Sequence, residues 1–90
     1  MNARDLVAWN VRRLRVLRGI SSEVLAAQAD VDRAYVSRIE RAVANPTIDI
    51  LERIARALGV EMAKLFAVPA SDEERPAPLP GGRPSGQRRA

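Results

Sequence analysis

The stretch SSEVLAAQADVDRAYVSRIERA, residues 21–42, decides the fold. Ser21 has a side-chain oxygen suited to capping a helix, and in the residues that follow, Leu25, Ala26 and Ala29 share one face. That face carries mostly small side chains, so a neighbouring helix can approach closely. Asp30 then interrupts, Val31 is apolar, and Asp32 is suited to cap a second short helix reaching to about Ala42. Two short helices joined by a tight turn with an apolar residue inside it are therefore expected, a helical hairpin of the helix-turn-helix kind.

The helix after the turn has two unlike faces. At about 100° per residue, Tyr35, Val36, Ile39, Ala42 and Val43 fall on one arc, and Arg33, Ala34, Ser37, Arg38 and Arg41 on the other. A solvated face ordinarily mixes Glu with Lys, yet this free arc holds arginines, small residues and no acid. Small side chains between arginines let the backbone come close to a surface, and the helix N-terminus, where Arg33 and Ala34 lie, favours an anion. Such a helix fits the major groove of DNA, where arginine bonds guanine O6 and N7 together. The competing reading is a basic surface helix with no ligand. Glu40 falls between the two arcs, where a lone carboxylate would be partly desolvated and would repel phosphate. A cationic partner resolves both problems, and Arg15, at the edge of the preceding helix's apolar stripe, is the expected one.

Upstream, ARDLVAWNVRRLRVLRG (residues 3–19) reads as a helix with Val7, Val11 and Leu14 at i, i+4 and i+7, stopped by Gly19 after a basic last turn. Trp9 and Val16 project from the opposite side, so they are either exposed or covered by something beyond this helix's core face. Downstream, VANPT breaks the chain and Thr47 caps the helix IDILERIARALG, whose Leu51, Ile54, Ala55 and Leu58 form the apolar face and whose end is Gly59. A last short helix, EMAKLF, offers Leu65 and Phe66 as a lid on the core, with Met62 beside them. Residues 1–68 thus form one helical domain. Residues 69–90 hold five of the six prolines and three of the five glycines with almost nothing apolar to bury, so a disordered tail is expected there. Its closing QRRA is either a mobile attraction for phosphate or a solvated terminus without a role.

Composition narrows the function classes. Ninety residues make one small domain, and chains of this size bury a limited fraction of their surface, so a second subunit is expected to help. Cysteine is absent, which removes disulfides and thiolate metal sites and fits a reducing cytoplasm. Histidine is absent too, removing the commonest general base and metal ligand. The remaining acids read as caps, surface pairs or residues of the tail (Asp72, Glu73, Glu74), so neither an enzyme, a metal site nor a cofactor is expected. The net charge is +4, and 14 of the 15 basic residues are arginine. That favours a polyanionic partner, although a GC-rich genome would raise arginine by itself. No apolar run approaches the roughly 20 residues of a membrane span, and the first residues lack the apolar segment of a signal peptide. A cytoplasmic protein without a membrane partner is expected.

From about Val7 to Phe66, the chain resembles the Cro/repressor (XRE) type of helix-turn-helix family. LRVLRGISSEVLAAQADVDRAYVSRIERAVANPTIDILERIARALGV matches its order of cap, helix, turn, recognition helix, Asn-Pro loop and LERIARALG helix. The resemblance implies an all-α, five-helix, lambda-repressor-like DNA-binding domain with the helix-turn-helix at helices 2 and 3. It also implies base contacts from Arg33, Ala34, Ser37 and Arg38, and phosphate contacts from Ser22, Arg41 and Asn45. Ser22 stands where relatives often carry Gln and has a shorter reach. The family's helix 1 arginine and helix 3 glutamate correspond to Arg15 and Glu40, as the projection also indicates. Similar proteins dimerise through their C-terminal helices, here the region of Leu58, Met62, Leu65 and Phe66; the side bearing Trp9 and Val16 is the alternative surface. The implied function is a sequence-specific repressor acting as a homodimer on a pseudo-palindromic operator in double-stranded DNA, with no small-molecule ligand. An antitoxin or a restriction–modification controller, whose DNA binding is coupled to a protein partner, is the alternative. Three departures stand out: Asp30 and Ala42 occupy positions where the family favours glycine, and Val24 stands where a capping box would place Glu or Gln.

Overall fold

The computed structural model describes residues 1–70. Four α-helices follow one another, α1 (Ala3–Leu17), α2 (Ser22–Ala29), α3 (Arg33–Glu40) and α4 (Ile48–Leu58), and a single 3-10 helix (Met62–Phe66) closes the order. No strand occurs among the described residues. The expected last α-helix is thus a 3-10 turn. It begins at Glu61 without a side-chain cap, and a segment of five residues is too short to sustain an α-helix unaided. The proposed tail, residues 69–90, lies outside the described residues apart from Pro69 and Ala70.

Three helices start on side-chain caps. Asn2 Oδ1 accepts from the Asp5 N–H at 2.8 Å, Ser21 Oγ from Val24 at 3.1 Å, and Thr47 Oγ1 from Ile50 at 3.1 Å. The last two were expected, but Asp32 does not behave as a cap. It occupies the N-cap position of α3, yet its side chain makes no capping bond, and its carbonyl alone accepts from Tyr35 and Val36.

All four helices end in one way. A residue with left-handed backbone follows each of them, Gly19 (φ 69°), Asp30 (φ 59°), Ala42 (φ 62°) and Gly59 (φ 73°). The next residue's N–H reaches back five positions, in the pairs Ile20→Arg15, Val31→Ala26, Val43→Arg38 and Val60→Ala55, at 2.9–3.3 Å. This is the Schellman ending, which satisfies carbonyls that a helix terminus otherwise leaves unpaired. The following residue is apolar each time, and Ile20, Val31 and Val60 pack against the core. Val43 is the exception. It was expected on the core arc of α3 but is 58% exposed, because α3 stops at Glu40 and the left-handed Ala42 turns the chain off the helix's axis.

The core joins Val7 and Val11 of α1, Leu25, Ala26 and Ala29 of α2, Val36 and Ile39 of α3, and Leu51, Ile54, Ala55 and Leu58 of α4, sealed by Ala44 and Leu65. The small residues of α2 do what their size suggests, and α2 packs closely against both α3 and α4. Trp9, left open by the sequence, is buried beside Ala8, with the Arg13 guanidinium 5.6 Å from its ring centroid. Next to it Asn10, which the sequence did not single out, is 2% exposed. Its Nδ2 donates to the carbonyls of Leu6, Leu65 and Ala67 at 2.9–3.0 Å, tying the 3-10 segment down onto α1.

One ion pair sets the orientation of α3. Arg15 Nε lies 2.6 Å from Glu40 Oε2 and Nη2 lies 2.8 Å from Oε1, while Nη1 donates to the Ile20 carbonyl at 3.1 Å. Both side chains are almost wholly buried, at 5% and 7% exposure. The forked contact is directional, so it fixes the rotation of α3 about its own axis relative to α1.

Three stability changes are expected. Glu40→Ala strands a buried guanidinium and should cost about 3 kcal/mol or more, read as a thermal midpoint well over 10 °C lower. Ala42→Gly removes the left-handed penalty on a side chain and should stabilise by roughly 1 kcal/mol. Asp30→Gly should gain less, since Asp tolerates that conformation better than Ala does; thermal melts of the three variants check the order.

Candidate nucleic acid interface

The side of α3 turned away from the core presents Arg33, Ala34, Arg38 and, just past its end, Arg41, all exposed, with Ser37 half-buried between them. The two arcs therefore separate in space much as they do in projection. Val36 and Ile39 anchor the opposite side at 0% and 2% exposure, and the buried pair with Arg15 prevents the helix from rolling. The result is a short, rigid ridge with cationic groups at its N-terminal and C-terminal ends and small side chains in between.

Two contacts on this ridge were not foreseen. Arg33 Nη1 lies 2.7 Å from Oε2 of Glu23 on α2, and both side chains are 66% exposed. The Arg38 guanidinium lies 5.5 Å from the centroid of the half-buried Tyr35 ring, within cation–π range. Tyr35 thereby limits the freedom of a long, rotamer-rich side chain by contact with its charged end. The signal for the second contact was available in sequence, since Tyr35 and Arg38 are at i, i+3 on one helix. No periodicity relates Glu23 to Arg33, which the turn alone brings together.

The flanking candidates lie around the ridge. Ser22, half-buried, is the first residue of α2, next to the capping Ser21. Asn45 is exposed in the loop before α4 and lines an open cleft of about 400 Å³ that also contains Asn2, Arg4, Pro46 and Phe66. Arg15 and Glu40 take no part in the exposed surface and act through the position of α3.

The residues of the expected dimer surface differ in their exposure. Leu58 and Leu65 are 2% and 0% exposed within the single chain, where the core holds both side chains. Met62 is half-buried and packs against the same core, and Phe66 is 37% exposed. On the alternative surface, Trp9 is buried and Val16 half-buried. Among the described residues no helix is long and apolar enough to cross a membrane, and no cluster of acidic side chains could hold a metal ion.

Comparison with known proteins agrees with this geometry. A family model described as helix-turn-helix matches residues 11–65. A hypothetical transcription factor of Neisseria meningitidis is 42% identical over 66 residues, a match that spans 73% of this chain and 62% of that protein. The crystal structure of the hypothetical transcription factor NHTF from Neisseria superposes with a TM-score of 0.74 at 41% identity, over 76% of this chain and 78% of that one. Control protein C.BamHI of Bacillus amyloliquefaciens is 41% identical over 66 residues, covering 72% of this chain and 82% of its own length. The restriction–modification controller C.Esp1396I, solved as a tetramer with its natural 35 base-pair operator, superposes with a TM-score of 0.67 at 33% identity, over 73% of this chain and 87% of that one. With the motif, the ridge and the match over residues 11–65 in agreement, the chain belongs to the helix-turn-helix family, among transcriptional regulators of the XRE type.

Proposed function

We propose that this chain is a sequence-specific DNA-binding transcriptional regulator, a repressor, that inserts α3 into the major groove. The observation that carries the reading is the exposed arginine face of α3, held outward by a buried ion pair on the helix's other side. In this reading Arg33 and Arg38 bond guanine edges, and Ala34 and Ser37 allow the helix backbone to approach the bases. Ser22, Arg41 and Asn45 contact phosphates and fix the docking register. The domain is lambda-repressor-like, spans residues 1–68, and uses its 3-10 turn in place of a fifth helix.

One module of this size makes few base contacts, so the chain acts as a homodimer on a pseudo-palindrome whose half-sites lie about 10 base pairs apart. The exposed part of Phe66, with Met62 beside it, is what remains of the C-terminal apolar surface for the partner subunit. The operator-bound tetramer of C.Esp1396I supports multiple occupancy of one site by such modules. The chain is not an enzyme, in keeping with relatives named as regulators, and it works in the cytoplasm, where its DNA lies. Control of restriction–modification genes is the second reading, favoured by the similarity to C.BamHI and C.Esp1396I.

The test is selection of bound duplexes from a random pool, followed by binding to the winner across a salt series. Enrichment of a two-fold symmetric sequence is expected, and a pool with no enrichment would overturn the reading. On the winner, Arg33→Ala and Arg38→Ala should each cost about 1–3 kcal/mol and relax preference locally, whereas Arg41→Ala should weaken all sequences alike and lower the salt slope by about one.

A further inference from the structure

The contact between Arg33 Nη1 and Glu23 Oε2, 2.7 Å long, has no part in the fold as described. Both side chains are 66% exposed, and ion pairs in that setting contribute little to stability. It also places a carboxylate beside the arginine face of α3, where it opposes the approach of phosphate. A feature that adds little to the fold and weakens general attraction for DNA calls for an account in terms of selectivity.

The geometry supplies one. A guanidinium has five N–H donors arranged in a planar fork, and Glu23 engages Nη1 alone. Nε and Nη2 have no acceptor among the described residues, so Arg33 retains donors enough for two further acceptors while Glu23 holds the group in place. Guanine O6 and N7 are such a pair, and both are neutral. A phosphate is not equivalent. To bond one, Arg33 must either bring the anion next to the Glu23 carboxylate or give up that carboxylate altogether, and both cost free energy.

We infer that Glu23 is a positioning residue that sets base specificity. It orients Arg33 for guanine and disfavours contacts between Arg33 and phosphate on non-cognate DNA. This deepens the DNA-binding reading and rests on it. Discrimination against random sequence then arises in part from a residue of α2 that touches no base.

The experiment uses the full chain and the duplex enriched by the wild-type protein. Affinities for that duplex, for its single-base variants and for random duplex are measured with wild type, Glu23→Gln, Arg33→Ala and the double variant. Glu23→Gln should bind random duplex about 3–10-fold more tightly and lose about 5-fold or more of the preference at the base pair that depends on Arg33, with an unchanged melting temperature. In the Arg33→Ala background the same change should leave base preference unaltered, because its route runs through Arg33. The inference fails if Glu23→Gln keeps the wild-type preference at that base pair, if it alters preference equally without Arg33, or if no base pair depends on Arg33. A wild-type protein that enriches no sequence would instead overturn the DNA-binding reading, and this inference with it.

Discussion

A buried arginine–glutamate pair is the constraint on which the rest of this structure depends. Charges of this kind are costly to remove from water, and a well-packed apolar pair in their place is often as stable. What the pair of Arg15 and Glu40 supplies is direction. Both guanidinium contacts and the carbonyl of Ile20 must be met at once, and this allows only one rotation of α3. Apolar contacts through Val36 and Ile39 would tolerate some roll. The exposed arginines at the other side of an eight-residue helix would then wander with it.

Short helices make such a constraint valuable. α2 and α3 have eight residues each, below the length at which isolated helices persist in water, so their order comes from tertiary contacts and from their ends. The repeated left-handed ending closes each helix and sends the following residue back toward the core in three cases of four. Two of those endings use Asp30 and Ala42 in place of glycine, and these two bracket α3. The segment that bears the ridge is therefore flanked by two non-glycine residues with left-handed backbone and secured by a buried charge pair.

The ridge has its own internal order. Arg33 is held from α2 by Glu23 and Arg38 from within α3 by Tyr35. Each long side chain thus has a second contact that limits its freedom before any ligand arrives, which lowers the entropy lost on binding. The tie of Asn10 to the carbonyls of Leu65 and Ala67 plays a related part at the far end of the chain. It seats the 3-10 segment so that Leu65 closes the core.

Local rules made much of this legible from the sequence alone. A cap such as Ser21 or Thr47 acts within three residues, and amphipathic faces repeat with the helical period, so the helices, the tight turn and the two arcs of α3 could be read directly. The pairing of Arg15 with Glu40 was legible as well, because a charge at the edge of an apolar stripe must find a counter-charge. Tertiary structure alone decided what depends on where the chain returns: the bonds of Asn10 across more than fifty residues, the burial of Trp9, and the meeting of Glu23 with Arg33. It also decided the small departures, the silent Asp32 and the exposed Val43, since a cap or a core position needs a partner at the right distance. Periodicity specifies which face of a helix is apolar, but only packing specifies what that face meets.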